Sequence, residues 1–187
     1  MIRSILLAGA VVLASSPCFG DSLSSSGGRY AIEPSSHIAF TVSQVGGGGI
    51  AGQFQRFSGV FLIDPAHVSR SQVSFTLQPG SVETAQSRIT SFLRSSAVFD
   101  VEEHPSITFK STKVRQTGPR SATVEGMLTA RGITRGEIFN VALMQHEGRR
   151  IAFHVTGDVL RSRYDMGIGA PIYSNVVKFD MTMQGLK

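Results

Sequence analysis

The most regular feature of the chain is an alternation of apolar and polar residues with a period of two. In the segment VVKFDMTMQ, Val177, Phe179 and Met181 share one face, while Lys178 and Asp180 take the other. Such alternation is typical of a strand with one buried face. Eight segments have this character: residues 37–43, 54–63, 72–78, 106–114, 121–129, 138–146, 150–160 and 175–184.

The connections between these segments indicate how the strands are joined. QTGPR at 116–120 and HEGRR at 146–150 are short and polar, as in β-hairpins. The connection 79–105 is too long for a structureless loop, and Ile89 and Leu93 within it have helical spacing. We therefore predict an all-β fold, an eight-stranded antiparallel barrel with a short helix in the 79–105 connection.

A barrel of eight strands is either filled by its own side chains or encloses one small ligand. The inward positions are apolar throughout, so a cavity here would suit a lipid-like chain. Six phenylalanines of the alternating segments are predicted to line it, namely Phe40, Phe61, Phe75, Phe109, Phe153 and Phe179.

The glycine-rich stretch VGGGGIAGQF contains the spacing G-x-G-x-x-G at Gly47, Gly49 and Gly52. In a dinucleotide site such glycines follow a strand and precede a helix whose N-terminus binds pyrophosphate. Here a second strand pattern follows, which argues against that site. We interpret residues 46–49 as a flexible connection between two strands.

The first 20 residues have the order of a secretory signal peptide, with a basic start, an apolar run and small residues. We expect cleavage after Gly20, a mature chain from Asp21, and a periplasmic or secreted location. Residues 21–29 are small and polar and are predicted as a flexible lead-in. The barrel domain is predicted over 30–187.

Charge and cysteine usage restrict the partners of the protein. The 187 residues carry a formal net charge of +5, or +4 without Arg3, and the basic residues are scattered. Nucleic-acid binding is therefore not predicted, and transient contact with an anionic membrane surface is more natural. Cys18 lies in the signal segment, so no disulfide is expected after cleavage. The sequence favours no oligomeric state over another, a homodimer included.

Catalytic and metal-binding patterns are missing from the sequence. The five histidines form no H-x-H or H-x-x-x-H pair, so no metal site is predicted. No G-x-S-x-G element is present, and we expect neither enzymatic activity nor a cofactor. His37, at the start of the first predicted strand, is the histidine best suited to a role at the barrel mouth.

Three arginines occur where strands give way to loops: Arg88, Arg131 and Arg161. An arginine can donate to two phosphate oxygens at once, and it can also donate to a quinone carbonyl. Each could equally form an internal salt bridge, for example with Asp100 or Asp165. The sequence leaves both roles open for each arginine.

Five blocks of the chain, in order, resemble the YceI-like family of bacterial exported proteins. They are YAIEPSSHIAFTV, GQFQRFSGVFLID, SVETAQSRITSFLRSSAVFDVEEHPSITFKST, GMLTARGITRGEIFNVAL and RSRYDMG. The resemblance covers about residues 30–186. It implies a lipocalin-like barrel whose tunnel binds a polyisoprenoid lipid or isoprenoid quinone, with the headgroup near the mouth. His37, Arg88, Arg131 and Arg161 are among the positions shared with the family.

The resemblance implies a lipid-binding protein that holds an isoprenoid-type or other long apolar chain for transport, storage or sequestration. Family members often carry Arg-Asp where this chain has Arg88-Ile89, and their loop near RSRYDMG differs in spacing, so headgroup contacts are expected to differ. The alternative is a packed structural or stress-related interaction module without a bound lipid. The state of the barrel interior distinguishes the two.

Overall fold

The computed structural model describes residues 22–187, and the signal peptide predicted over 1–20 lies outside the described residues. These residues form eleven strands and one α-helix. The elements are β1 (Gly28–Ile32), β2 (His37–Ser43), β3 (Gly49–Phe54), β4 (Phe57–Ile63), β5 (Gln72–Leu77), β6 (Val82–Thr84), α1 (Ser87–Arg94), β7 (Ile107–Gly118), β8 (Ser121–Ala130), β9 (Ile133–Glu147), β10 (Arg150–Leu160) and β11 (Val176–Leu186).

Eight of the strands form a closed antiparallel barrel. The hydrogen-bonded order is β1-β4-β5-β7-β8-β9-β10-β11, and β11 pairs back onto β1. This last pairing, Ala31 with Leu186 and Ile32 with Gly185, closes the ring. Closure leaves no free edge in this ring, which protects the sheet from pairing with another chain. The predicted eight-stranded barrel is confirmed.

The three remaining strands arise because the first three long strands of the barrel wall are each interrupted, which divides them into the pairs β1/β2, β3/β4 and β5/β6. The breaks are residues 33–36 between β1 and β2, residues 55–56 between β3 and β4, and residues 78–81 between β5 and β6. Above the breaks, the sheet continues as β11-β2-β3-β6. Here α1 packs beside β6, so the helix predicted within 79–105 is confirmed and covers the end of the extended sheet.

The two ends of the barrel are built differently. The upper end carries the β2–β3 loop, the β6–β7 connection with α1, the tight β8–β9 turn and the irregular segment 161–175. The lower end carries the β4–β5 loop and the short β7–β8 and β9–β10 hairpins. The glycines at 46–49 belong to the upper end and join β2 directly to β3, without the helix that a dinucleotide site needs.

The predicted flexible lead-in over 21–29 needs correction for the part of it that the structure describes. Residues 23–25 form a 3-10 turn, Leu23 and Ser26 are buried, and β1 already begins at Gly28. The physical reason is a capping box in which Ser22 and Ser25 satisfy each other's backbone N–H groups. Small polar residues therefore order this segment. No helix within residues 22–187 is long and apolar enough to cross a membrane.

Candidate functional site

The inward faces of the strands enclose an apolar cavity of about 310 Å³ along the barrel. This volume is at the lower end of the range found for small-molecule sites. The structure places all six predicted phenylalanines on its wall, and these are Phe40, Phe61, Phe75, Phe109, Phe153 and Phe179. Alternation along the strands predicted this set because every second residue of a pleated strand points inward.

The phenylalanine rings contact one another across and along the wall. Phe61 and Phe153 meet edge to face with centroids 5.4 Å apart, and Phe109 and Phe139 do so at 5.2 Å. Phe109 also lies over Gly126 on β8, where a Cβ would collide with its ring. The wall is therefore a packed aromatic belt, and small residues beneath the rings leave them room.

Arg161 is a buried cation on the cavity wall at the upper end. Only 8% of its surface is exposed. Its Nε donates to the Ser174 carbonyl at 2.8 Å, Nη1 donates to the Met166 and Ile168 carbonyls at 2.6 Å each, and Nη2 donates to the Tyr173 carbonyl at 3.1 Å. These bonds use four of the five guanidinium N–H groups.

The charge of Arg161 has no carboxylate partner among residues 22–187. Desolvation lowers the pKa of its guanidinium from the usual value, yet an arginine stays protonated in a protein. Carbonyl dipoles alone therefore compensate a buried positive charge. One Nη2 N–H has no acceptor among residues 22–187, so Arg161 could donate to an anionic or carbonyl oxygen.

A second cluster anchors the loop that holds Arg161. Glu137 on β9 is buried, and its Oε1 accepts from the Tyr164 hydroxyl at 2.8 Å and from Arg163 Nη1 at 3.0 Å. Burial and the hydrogen bond to Glu137 raise the pKa of Tyr164. The Glu137 carboxyl oxygen accepts both bonds, so the cluster holds the turn 161–164 against β9.

Arg131 and Arg88 also lie at the upper end, but they have different surroundings. Arg131 Nη1 donates to the Val98 carbonyl at 3.0 Å, and its Nη2 lies 3.8 Å from Asp165 Oδ2. It thus forms the internal salt bridge that the sequence allowed, and it ties the loop after α1 to the turn at 165. Arg88 is exposed on α1 and contacts no described acceptor.

His37 lies away from the mouth, contrary to the sequence prediction. It is exposed at the first residue of β2, paired with Thr182, and does not line the cavity. The prediction failed because the long strand is interrupted at residues 33–36, just before His37. His37 therefore lies partway up the barrel wall and not at the end of the barrel. Residues 22–187 contain no cluster of three or more potential metal ligands.

Four exposed apolar side chains surround the upper end, and we call them the rim: Val45, Phe92, Ile168 and Ile172. Phe92 is 41% exposed and Ile168 is 49% exposed, yet both also border the cavity. The Val45 N–H donates to the Ile172 carbonyl at 2.9 Å, which links the glycine loop to the segment 161–175. The cavity therefore reaches the surface through an apolar mouth. Leu62, 41% exposed on the side of β4, borders the cavity as well.

Several wall residues were missed by the sequence reasoning. They are Phe54, Phe99, Phe139, Tyr164, Met166 and Tyr173. Phe99, Met166 and Tyr173 come from irregular segments, where no period predicts which side chain points inward. Phe139 lies in a predicted strand and could have been found from the apolar alternation with Val141 and Leu143.

Comparison with known proteins places this geometry among related chains. A family model described as YceI-like domain matches residues 30–184. A UPF0312 protein of Ectopseudomonas mendocina is 28% identical over 186 residues, covering 95% of this chain and 96% of its own length. A UPF0312 protein of Pseudomonas putida is 30% identical over 169 residues, covering 85% and 86%.

Solved structures share the fold. The crystal structure of Burkholderia cenocepacia BcnA superimposes with a TM-score of 0.76 at 21% identity, covering 82% of this chain and 98% of that one. A polyisoprenoid-binding domain from Saccharophagus degradans, implicated in plant cell wall breakdown, gives 0.69 at 14% identity, covering 84% and 97%. At these identities the likeness establishes a common barrel and nothing further.

Proposed function

The chain belongs to the YceI-like family, and on that premise we propose that it binds an isoprenoid-type chain inside the barrel, with the polar head of the ligand at Arg161. One observation carries the proposal: the apolar cavity is bordered at its upper end by the buried cation of Arg161, which has no carboxylate partner among the described residues. An apolar wall alone suits any oily molecule. The buried guanidinium adds a requirement for an oxygen-bearing head at one end.

The tail supplies most of the binding free energy in this proposal. Burial of one CH₂ contributes about 0.8 kcal/mol, whereas a hydrogen bond to a charged group contributes about 1.5–3 kcal/mol. A few isoprene units therefore outweigh the headgroup contact, even after the cost of ordering the chain. The tail sets affinity, and Arg161 selects among heads.

A phosphate or a quinone carbonyl is the head that fits best. The free Nη2 N–H can donate one bond, and the uncompensated charge favours an anion over a neutral group. Arg131 is occupied by Asp165 and by loop carbonyls, and Arg88 lies on the exposed face of α1. Arg161 is therefore assigned the headgroup, Arg131 a structural role, and Arg88 a surface role.

We assign the protein a binding role rather than catalysis. The polar groups beside the cavity hold one another: Tyr164 donates to Glu137, and Arg161 donates to backbone carbonyls. That arrangement provides no nucleophile next to a general base. The polyisoprenoid-binding domain of Saccharophagus degradans supports the ligand class by analogy.

The proposed setting is the periplasm or the exterior of the cell, because the first 20 residues read as a signal peptide. There the protein would carry, store or sequester its lipid. The rim supports transient contact with a membrane surface, since an apolar mouth lets a chain pass between bilayer and barrel without crossing water.

Lipid extraction tests the proposal directly. The protein is purified from its native host without detergent, and bound molecules are identified by mass spectrometry. We expect one prenyl chain per barrel, bearing a phosphate or quinone head. In parallel, the purified protein is titrated with geranylgeranyl phosphate and with palmitate as a non-isoprenoid control. A barrel that carries no lipid and takes up neither compound would instead favour the packed interaction module.

A further inference from the structure

The lower end of the barrel is crossed by the first described residues. In the ring of eight, β7 is three positions from β1 and β8 is four, so the β7–β8 hairpin lies on the far side of the barrel from β1. The Leu23 N–H donates to the Pro119 carbonyl of that hairpin at 2.9 Å, while Gly28 is already paired with Ile63 on β4. We call residues 22–27 the strap.

Leu23 is the side chain that the strap contributes to the cavity. It is 4% exposed and lies on the cavity wall. Among the wall residues of the lower half around it are Ile63, Val68, Val114, Ala122 and Met183. Residues 23–25 form a 3-10 turn, so the strap crosses as a compact turn followed by the short link 26–27 to β1.

The strap is held at both ends and in the middle. Ser26 is fully buried, and its carbonyl accepts from the Tyr30 hydroxyl at 3.0 Å. That hydroxyl also lies 3.1 Å from His146 Nε2 on β9. A Cβ at Gly27 would lie 2.5 Å from Pro65 Cγ, so only a glycine passes this point without displacing the β4–β5 loop.

We propose that Leu23 is the stopper that ends the cavity and thereby sets the longest chain the barrel accepts. The inference rests on the proposed function for its ligand, and on the strap geometry for its mechanism. A ligand chain whose head lies at Arg161 would extend downward along the aromatic belt and meet the Leu23 side chain at the lower end of the cavity. Further isoprene units would have to displace a buried leucine or remain outside the mouth.

A ladder of isoprenoid alcohols tests length selection. Farnesol, geranylgeraniol, solanesol and undecaprenol compete for the protein, and native mass spectrometry measures which are bound. Leu23→Ala opens the end of the cavity, so the ratio of the longest to the shortest bound alcohol rises about tenfold, or ~1.4 kcal/mol. Leu23→Phe shifts the ratio the other way. Ser24→Ala, an exposed strap position, is the matched control and leaves the profile of the wild type. Identical profiles for all four proteins would overturn the stopper.

A second measurement needs no isoprenoid. In a Cys18→Ser background, Ala122→Cys places a lone thiol on the lower cavity wall beside the hairpin that the strap reaches. Leu23→Ala is expected to speed its labelling by a small maleimide at least tenfold, and Ser24→Ala is not. Equal rates would refute closure by Leu23. A wild type that binds no isoprenoid alcohol would defeat the proposed function, and the labelling rates would then decide closure by Leu23 independently.

Discussion

The upper and lower ends of the barrel differ in the residues that border the cavity and in the connections that carry them. The upper end has long connections, a helix and a buried arginine whose charge meets only carbonyl dipoles. The lower end has short hairpins and a strap of small residues that inserts one leucine. Both ends border the same cavity, but only the upper one combines a buried cation with an exposed apolar rim.

This difference suggests that selection of the ligand headgroup and closure of the cavity belong to opposite ends of the barrel. An unpaired buried charge costs free energy in the empty protein, which is the reason that the proposed headgroup is placed at Arg161. Leu23 carries no such cost, because an apolar side chain gains by burial. We expect ligand chemistry to be sensitive to the upper end and chain length to the lower end.

The largest effect is expected where the barrel body is compared with the rim. Phe153→Asp buries a carboxylate in the aromatic belt against Phe61, and the free energy of unfolding should fall by about 4 kcal/mol or more. Phe92→Asp adds the same charge at a rim position that is 41% exposed, and should change stability little. Urea unfolding of both variants is the measurement. Equal losses would mean that the rim is part of the core.

Two glutamates on β9 give the next comparison, one near each end. Glu137→Ala leaves the buried Tyr164 hydroxyl without its acceptor and Arg163 without its carboxylate partner, and should destabilise the protein by about 2–3 kcal/mol. Glu147→Ala, at the exposed lower end of the same strand, should cost less than about 0.5 kcal/mol. Chemical denaturation measures both. Similar values would show that the Glu137 cluster does not anchor the upper end.

The long strands were predictable from the sequence because their outer faces meet water, whereas the short strands β1 and β6 were not among the predicted segments. Lys178 and Asp180 alternate with Val177 and Phe179, and a pleated strand with one wet face requires that pattern. The breaks were not predictable in the same way. Residues 55–56 interrupt pairing without interrupting the apolar–polar alternation, so the predicted strand 54–63 ran across the break, and of β3 it contained only Phe54.

The candidate site was predicted only in part, and for a physical reason. Arg88, Arg131 and Arg161 look alike in sequence, and each precedes or follows a strand end. Their roles depend on how the loops close around them: four carbonyls converge on Arg161, whereas Asp165 reaches Arg131. Such convergence is a tertiary property. The strap was missed because its serines and glycines suggest disorder until their capping partners are known.

Arg161 at the upper end and Arg120 at the lower end can be compared for their effect on headgroup preference. Arg161→Met removes the buried cation and should weaken geranylgeranyl phosphate relative to geranylgeraniol by about 1–2 kcal/mol. The ratio of the two affinities cancels any loss of stability in the loop. Arg120→Met, which removes an arginine that donates to the Leu143 and Met144 carbonyls at the lower end, should leave the ratio unchanged. An unchanged ratio in Arg161→Met would move the headgroup elsewhere.

The smallest effect expected is a pH dependence confined to the lower end. Asp64 Oδ1 accepts from the His67 N–H at 2.8 Å and from the Ala66 N–H at 2.9 Å. The backbone hydrogen bond from His67 is the largest cause that lowers the pKa of Asp64 from 3.8. Because the folded state favours the charged carboxylate, its stabilisation is complete above the unfolded pKa and is lost as the pH falls through the lower, folded value.

Asp64→Asn removes this titration while retaining an oxygen that can accept both bonds. The variant should therefore be slightly less stable than the wild type at neutral pH, and the gap should close below pH 3.8. Urea unfolding across the acid range measures the gap, with labelling of the lower-wall thiol in parallel. Because Pro65 of the same loop faces Gly27 of the strap, we expect the lower-wall thiol to become more accessible in acid, and Asp64→Asn should abolish that change. A pyridyl disulfide, which reacts with thiols in acid, replaces the maleimide here, and each rate is divided by that of free cysteine at the same pH. A relative rate that is independent of pH in both proteins would show that the β4–β5 loop does not support the strap.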